Sequence, residues 1–138
     1  MKQLSSKWFG PIPSGKSVKN KIPVEPIQKE YRVLECSSQV PLDGFYLSFH
    51  MAGRGDSNYH IHDLLSDILG RGKSSILYQQ LVEKKKIFNS IGAFVNGSID
   101  PGLLNIQGKV NQGYDLHQAE EAVWEILEQF KVKGVSQE

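Results

Sequence analysis

Residues 63–91 read DLLSDILGRGKSSILYQQLVEKKKIFNSI, and the order of elements in this stretch decides the fold. Ile61, Leu64, Leu65 and Ile68 have the spacing of one apolar helical stripe. Gly70 follows, where a left-handed C-cap is expected. Ser74 can cap a second helix whose buried side includes Leu77 and Leu81, with Tyr78 at its margin. Lys84, Lys85 and Lys86 close that helix, where cations complement the negative end of its dipole. The stretch is thus helix, glycine hinge, helix, basic turn and the start of a strand.

Outward from it, Phe45 to Met51 alternates with a period of two. Phe45, Leu47, Phe49 and Met51 share one face; Tyr46, Ser48 and His50 share the other. Pro41-Leu42-Asp43-Gly44 is a turn signal before it. Gly53-Arg54-Gly55 ends the strand, and Asp56 or Ser57 supplies an N-cap oxygen for the next helix. Gln28 to Cys36 is expected as a further strand, with Tyr31 and Val33 alternating with Glu30 and Arg32. Asn89–Asn96 and Leu103–Val110 read as a hairpin around residues 98–102; Leu104, Ile106 and Val110 face one way and Asn105, Gln107 and Lys109 the other. The last helix has Asp115 as its cap and Gln118 as the capping-box partner. Its buried stripe is Ala119, Ala122, Val123, Ile126, Leu127 and Phe130, with Glu120, Glu121, Glu125 and Glu128 opposite. The order β-β-α-α-β-β-α pairs strands as hairpins instead of alternating them with helices. That predicts an α+β two-layer sandwich, a mostly antiparallel sheet with helices on one face.

The chain has 138 residues, 39% of them hydrophobic, enough for one core. A net charge of +1 gives no reason to expect nucleic acid or an anionic membrane as partner. One cysteine, Cys36, rules out an intrachain disulfide framework and a cysteine-rich zinc site. No apolar run approaches the roughly 20 residues of a spanning helix. Gly10 to Pro26 holds four of the six prolines and several lysines, and should be an exposed connector. Lys2 to Phe9 resembles the last turns of a helix entered mid-way. Residues 1–26 are therefore expected to be the end of a preceding domain's helix plus a linker, and residues 27–138 a single α+β domain truncated at its C-terminus.

No motif supplies an active site. Gly70-Arg71-Gly72-Lys73-Ser74 ends like a phosphate loop, but that loop needs a glycine at position 67, which is Asp67, and a preceding strand. A hinge is the better reading. Arg54-Gly55-Asp56 is explained by a strand-to-helix turn. His60 and His62 are two apart, which does not place both on one helical face. His117-Gln118-Ala119-Glu120-Glu121 falls one residue short of H-x-x-E-H, with Glu121 where the second zinc ligand would stand. Cys36 lacks an identifiable histidine partner, and there is no G-x-S-x-G turn.

LLSDILGRGKSSILYQQLVEKKKIFNSIGAFV resembles the second-domain signature of the pitrilysin/insulinase zinc peptidases, which are related to the mitochondrial processing peptidase and typically read LLNxxLGxGxSSRLYQxLREKxGLAYSVxA. KWFGPIPSG resembles the family's junction between domains. VPLDGFYLSFHM and DPGLLNIQGKV are placed as in the family, the latter most like bacterial zinc proteases. The resemblance covers about residues 5 to 130. It implies an α+β sandwich, with zinc held in a first domain by H-x-x-E-H and a distal Glu, none of which lies in this chain. It implies as partners a zinc-bearing first domain, a peptide substrate and a paired homologous subunit. The second domain would wall the peptide chamber. Many members bind substrate through an Arg and a Tyr in L-R-x-x-x-G-L-A-Y. Val82 and Asn89 stand at those positions, and Ile76 replaces the arginine of S-R-L-Y. The resemblance therefore implies a non-catalytic domain of the zinc-bearing kind of parent, or of an inactive, structural or substrate-binding pseudo-peptidase.

Overall fold

The computed structural model describes residues 2–16, 23 and 25–134. The chain divides into two units, residues 1–37 and 38–138.

The first unit holds one short helix, α1 (Lys2–Phe9), with no buried residue. The Gly10 amide donates to Ser6 O and the Ile12 amide to Phe9 O, curling the chain after the helix. Residues 17–22 and 24 of the expected connector lie outside the described residues. The strand expected at Gln28 to Cys36 does not form; this segment has no ladder partner. Alternation marks side chains able to line a sheet, but a strand also needs a neighbour for its N–H and C=O groups. Here Tyr31 and Val33 remain exposed, and so does Leu34, which breaks the alternation.

In the second unit the chain forms β1 (Gly44–Met51), α2 (Tyr59–Gly70), a π-helix (Tyr78–Lys84), β2 (Phe88–Asn96), β3 (Gly102–Val110) and α3 (Leu116–Lys133). The sheet has three strands in the order β1-β3-β2, antiparallel throughout. The class is the expected α+β one, with three strands instead of four. Phe45, Leu47, Leu104, Ile106, Val110, Ile91 and Ala93 line the inner face. They form one core with Leu69 of α2, Leu77 and Leu81 of the second helix, and Ala119, Val123 and Ile126 of α3. The other face carries Tyr46, Ser48, Gln107 and Lys109 into solvent, the alternation of a sheet covered on one side.

Details of the helical stretch differ from expectation. Ile61 and Leu64 are 63% and 62% exposed, whereas Leu69 and Ser66 are buried. The helix is turned so that its small residues meet the sheet. A Cβ on Gly70 would lie 1.8 Å from Ala93 N, a contact only glycine permits. Ser66 is tolerated there because its hydroxyl donates to Asp63 O at 2.8 Å. Gly70 is the last helical residue, and the left-handed backbone falls on Gly72 (φ 79°). Asp56, not the N-cap residue Asn58, supplies the carboxylate, which accepts from Asn58 N at 2.8 Å.

The second helix buries Leu77 and Leu81 as expected, but it widens. Gln79 N donates to Ser75 O, four residues back; Lys85 N donates to Gln80 O, five back; Ile87 N donates to Leu81 O, six back. Leu77, not Ser74, stands at its N-cap, with no side-chain cap. The turn before it is closed by Ser75, whose hydroxyl donates to Gly72 O at 2.7 Å.

The hairpin and α3 match expectation closely. Gln118 N donates to Asp115 Oδ1 at 2.7 Å and Asp115 N to Gln118 Oε1 at 3.2 Å, the complete capping box. Ala119, Ala122, Val123 and Ile126 are buried, with Leu127 and Phe130 partly so.

Candidate functional site

Val82 and Asn89 sit on two different backbone irregularities. Val82 lies within the π-helix and packs partly buried against the core. Asn89 is exposed on β2, between Phe88, which pairs with Val110, and Ser90, which pairs with Lys109. Two steps along β2 thus match one along β3, and Asn89 is the extra residue of a β-bulge. Both π-turns and bulges re-aim side chains and recur at functional sites.

The turn joining them is strained. Lys86 has φ 55°, a left-handed backbone at a non-glycine residue, costing roughly 1–2 kcal/mol. It falls on the glycine of L-R-x-x-x-G-L-A-Y. Asn111 holds the turn, donating its side-chain amide to Lys86 O and its backbone N–H to Ile87 O, each at 2.8 Å. Tyr114 OH donates to Lys85 O at 3.4 Å. Lys85 Nζ is ion-paired with Glu125 of α3. The hydrogen bond and charge of Lys85 hold the Glu125 carboxyl below its ordinary value. Beneath the bulge, Phe88 is fully buried and meets Phe45 edge-on, with ring centroids 5.8 Å apart. Its ring lies over Gly108, where a Cβ would come within 2.7 Å.

This machinery positions side chains without reacting. Val82 has no donor, and Asn89 offers only a short amide. Sequence reasoning picked out both positions but not the irregular backbone under them. The signal for the strained turn was the family glycine replaced by Lys86; the clamps at Asn111 and Tyr114, distant in sequence, left none.

The other motifs are structural. Arg54 N donates to Ser98 O at 2.9 Å, and the Arg54 guanidinium lies 6.0 Å from the Tyr59 ring centroid. His62 Nδ1 contacts Asn58 O at 2.8 Å, while His60 meets the Tyr59 ring edge-on. His117 Nδ1 lies 3.7 Å from Glu121 on the same helix. Cys36 is exposed. Among the described residues, no group of three or more His, Cys, Asp or Glu side chains could hold a metal. These residues thus do not fit the zinc that the resemblance implies for the parent. Among them, too, no helix is long and apolar enough to cross a membrane.

The outer sheet face has its own character. Among the residues of the three strands there is no Asp or Glu. Tyr46 and Gln107 are directly opposed, as are Gln107 and Gly92. A cleft of about 420 Å³ opens here, lined by Tyr46, Ser90, Gly92, Phe94, Gln107 and Lys109.

These features define a non-catalytic peptidase-like domain. The chain belongs to the peptidase M16 inactive domain family, whose model matches residues 1–138. No curated protein matches it. Among solved structures, it is similar to a protease from Helicobacter pylori, with 22% identity and a TM-score of 0.88 over 98% of this chain and 33% of that one. It is similar to the inactive peptidase domain of a candidate zinc protease from Bordetella parapertussis, with 24% identity and a TM-score of 0.60 over 74% of this chain and 56% of that one. A candidate zinc protease from Bordetella pertussis Tohama I shares 28% identity, with a TM-score of 0.59 over 67% of this chain and 50% of that one. The chain thus spans about a third to a half of the length of these structures.

Proposed function

We propose that this chain is the non-catalytic second domain of a zinc metalloendopeptidase, walling the peptide chamber beside a zinc-bearing first domain. The observation that carries this reading is the match of all 138 residues to the inactive peptidase domain. In such a parent, zinc bound in the first domain would activate the water that attacks the peptide carbonyl. This chain's own contribution is shape. The outer sheet face supports a wall role, because it lacks carboxylates and opens a shallow cleft with a glycine floor. Such a surface does not repel acidic substrates and offers hydroxyl, amide and ammonium donors to a peptide backbone.

The test is expression of the longer gene product with and without this domain. Peptide cleavage by the longer form, lost on deletion, is expected. The isolated 138-residue protein should cleave no peptide and retain no zinc. Stoichiometric zinc in it after dialysis, by elemental analysis, overturns the reading.

Val82 and Asn89, in place of Arg and Tyr, favour a second reading, a pseudo-peptidase subunit that is structural or binds substrate for a partner. The upstream sequence separates the two: lack of H-x-x-E-H there removes the catalytic parent in a single chain.

A further inference from the structure

We infer that α1 and the turn after it form an apolar plug that seats the chain on the preceding zinc-bearing domain. The identity of that partner rests on the function proposed above; the exposed surface does not.

No residue of α1 is buried. Leu4, Trp8, Phe9 and Ile12 are 65%, 67%, 69% and 64% exposed. Leu4 and Trp8 are four apart and share one helical face. The hydrogen bonds from Gly10 and Ile12 keep the helix end wound, carrying Phe9 and Ile12 on past it. Four large apolar side chains within nine residues mark an interaction surface. The helix has 8 residues, below the roughly 12–15 at which an isolated helix becomes even marginal in water. Its apolar face therefore needs a surface to pack against.

The Helicobacter pylori match indicates which surface. It covers 98% of this chain, so at least part of α1 has a counterpart within a chain of which the match spans 33%. A helix in that setting has further protein of the same polypeptide to pack on. The polar side of the plug is basic: Lys2 and Lys7 with no acidic residue in α1, and Lys7 Nζ 5.4 Å from the Trp8 ring centroid. The complementary groove should thus be apolar with an acidic rim.

Trp8 is its own reporter, because the chain has only two tryptophans. In a Trp124→Phe background, acrylamide quenching and emission are compared between the 138-residue protein and the longer polypeptide carrying the zinc-bearing domain. Should that background not fold, the difference between the unmodified protein and Trp8→Phe gives the same signal. Trp8 is expected to be freely quenched in the short form. In the long form its emission shifts to the blue and quenching falls several-fold. The double variant Leu4→Asp/Ile12→Asp should restore quenching. Equal quenching in both forms overturns the inference. So does protection of the short form by phosphatidylglycerol vesicles, or by its own self-association, without protection in the long form. A long form that protects Trp8 yet binds no zinc would sink the proposed peptidase parent and leave the docking intact.

Discussion

Gly70 ends α2 against the backbone of Ala93, so close that a methyl group at position 70 would lie 1.8 Å from the Ala93 amide nitrogen and 2.6 Å from its Cα. Helix and strand meet here with no side chain between them. Gly70→Ala should therefore lift α2 from the sheet and uncover Leu69, costing on the order of 3 kcal/mol. Urea unfolding followed by circular dichroism measures this. Gly55→Ala, where a Cβ meets nothing within 4 Å, should leave the midpoint nearly unchanged.

Lys86 carries the opposite fault, a side chain where the backbone favours none. Lys86→Gly relieves a left-handed strain of roughly 1–2 kcal/mol, offset by the greater freedom of glycine in the unfolded chain, about 0.5–1 kcal/mol. A net gain of up to about 1 kcal/mol is expected. Lys86→Ala keeps the Cβ and should give no such gain. Equal midpoints for both variants would show that the turn stores no strain.

Glu125 and Lys85 tie α3 to the end of the π-helix. The folded carboxyl titrates below its ordinary value because of the Lys85 hydrogen bond and charge. The pair's contribution is then complete above the ordinary glutamate range and fades as pH falls through the lowered folded value. Both groups are substantially exposed, so salt should weaken it too. The stability difference between the protein and Glu125→Gln should be constant above about pH 6 and shrink in acid. A difference that grows on acidification would contradict the pairing.

Asn89 and Val82 should respond unequally to the family's side chains. Asn89 is exposed on its bulge, so Asn89→Tyr should change stability by no more than about 0.5 kcal/mol. Val82 packs on the core, and Val82→Arg should cost about 1–3 kcal/mol. Thermal melts of the two variants separate these outcomes. A strongly destabilised Asn89→Tyr would mean that the bulge depends on its present residue.

What the sequence made legible depended on how local the determinant was. The capping box of α3 needs only Asp115 and Gln118, and both contacts form as read. The hairpin was readable because five residues, 97–101, join two alternating arms. The α2 stripe was misread because four apolar residues outvoted Ser66 and Gly70, whose importance lies in how near the sheet comes. Tyr31 and Val33 alternate like a strand, yet no neighbouring backbone completes them. The π-helix follows from packing between Leu81 and residues far along the chain, beyond what spacing conveys. For the site, Val82 and Asn89 were found only because a family pattern gave those positions meaning. Neither residue type advertises a role.

The central strand of the sheet is also its last in sequence. β1 and β2 each pair only with β3, so Gly44–Met51 has no ladder partner until Gly102–Val110 exists. On a ribosome, the sheet cannot close until residue 110 has cleared the exit tunnel. Until then Phe45, Leu47 and Phe49 must wait unpaired, which makes the moment of β3's emergence the step at which this domain escapes aggregation or a chaperone's hold.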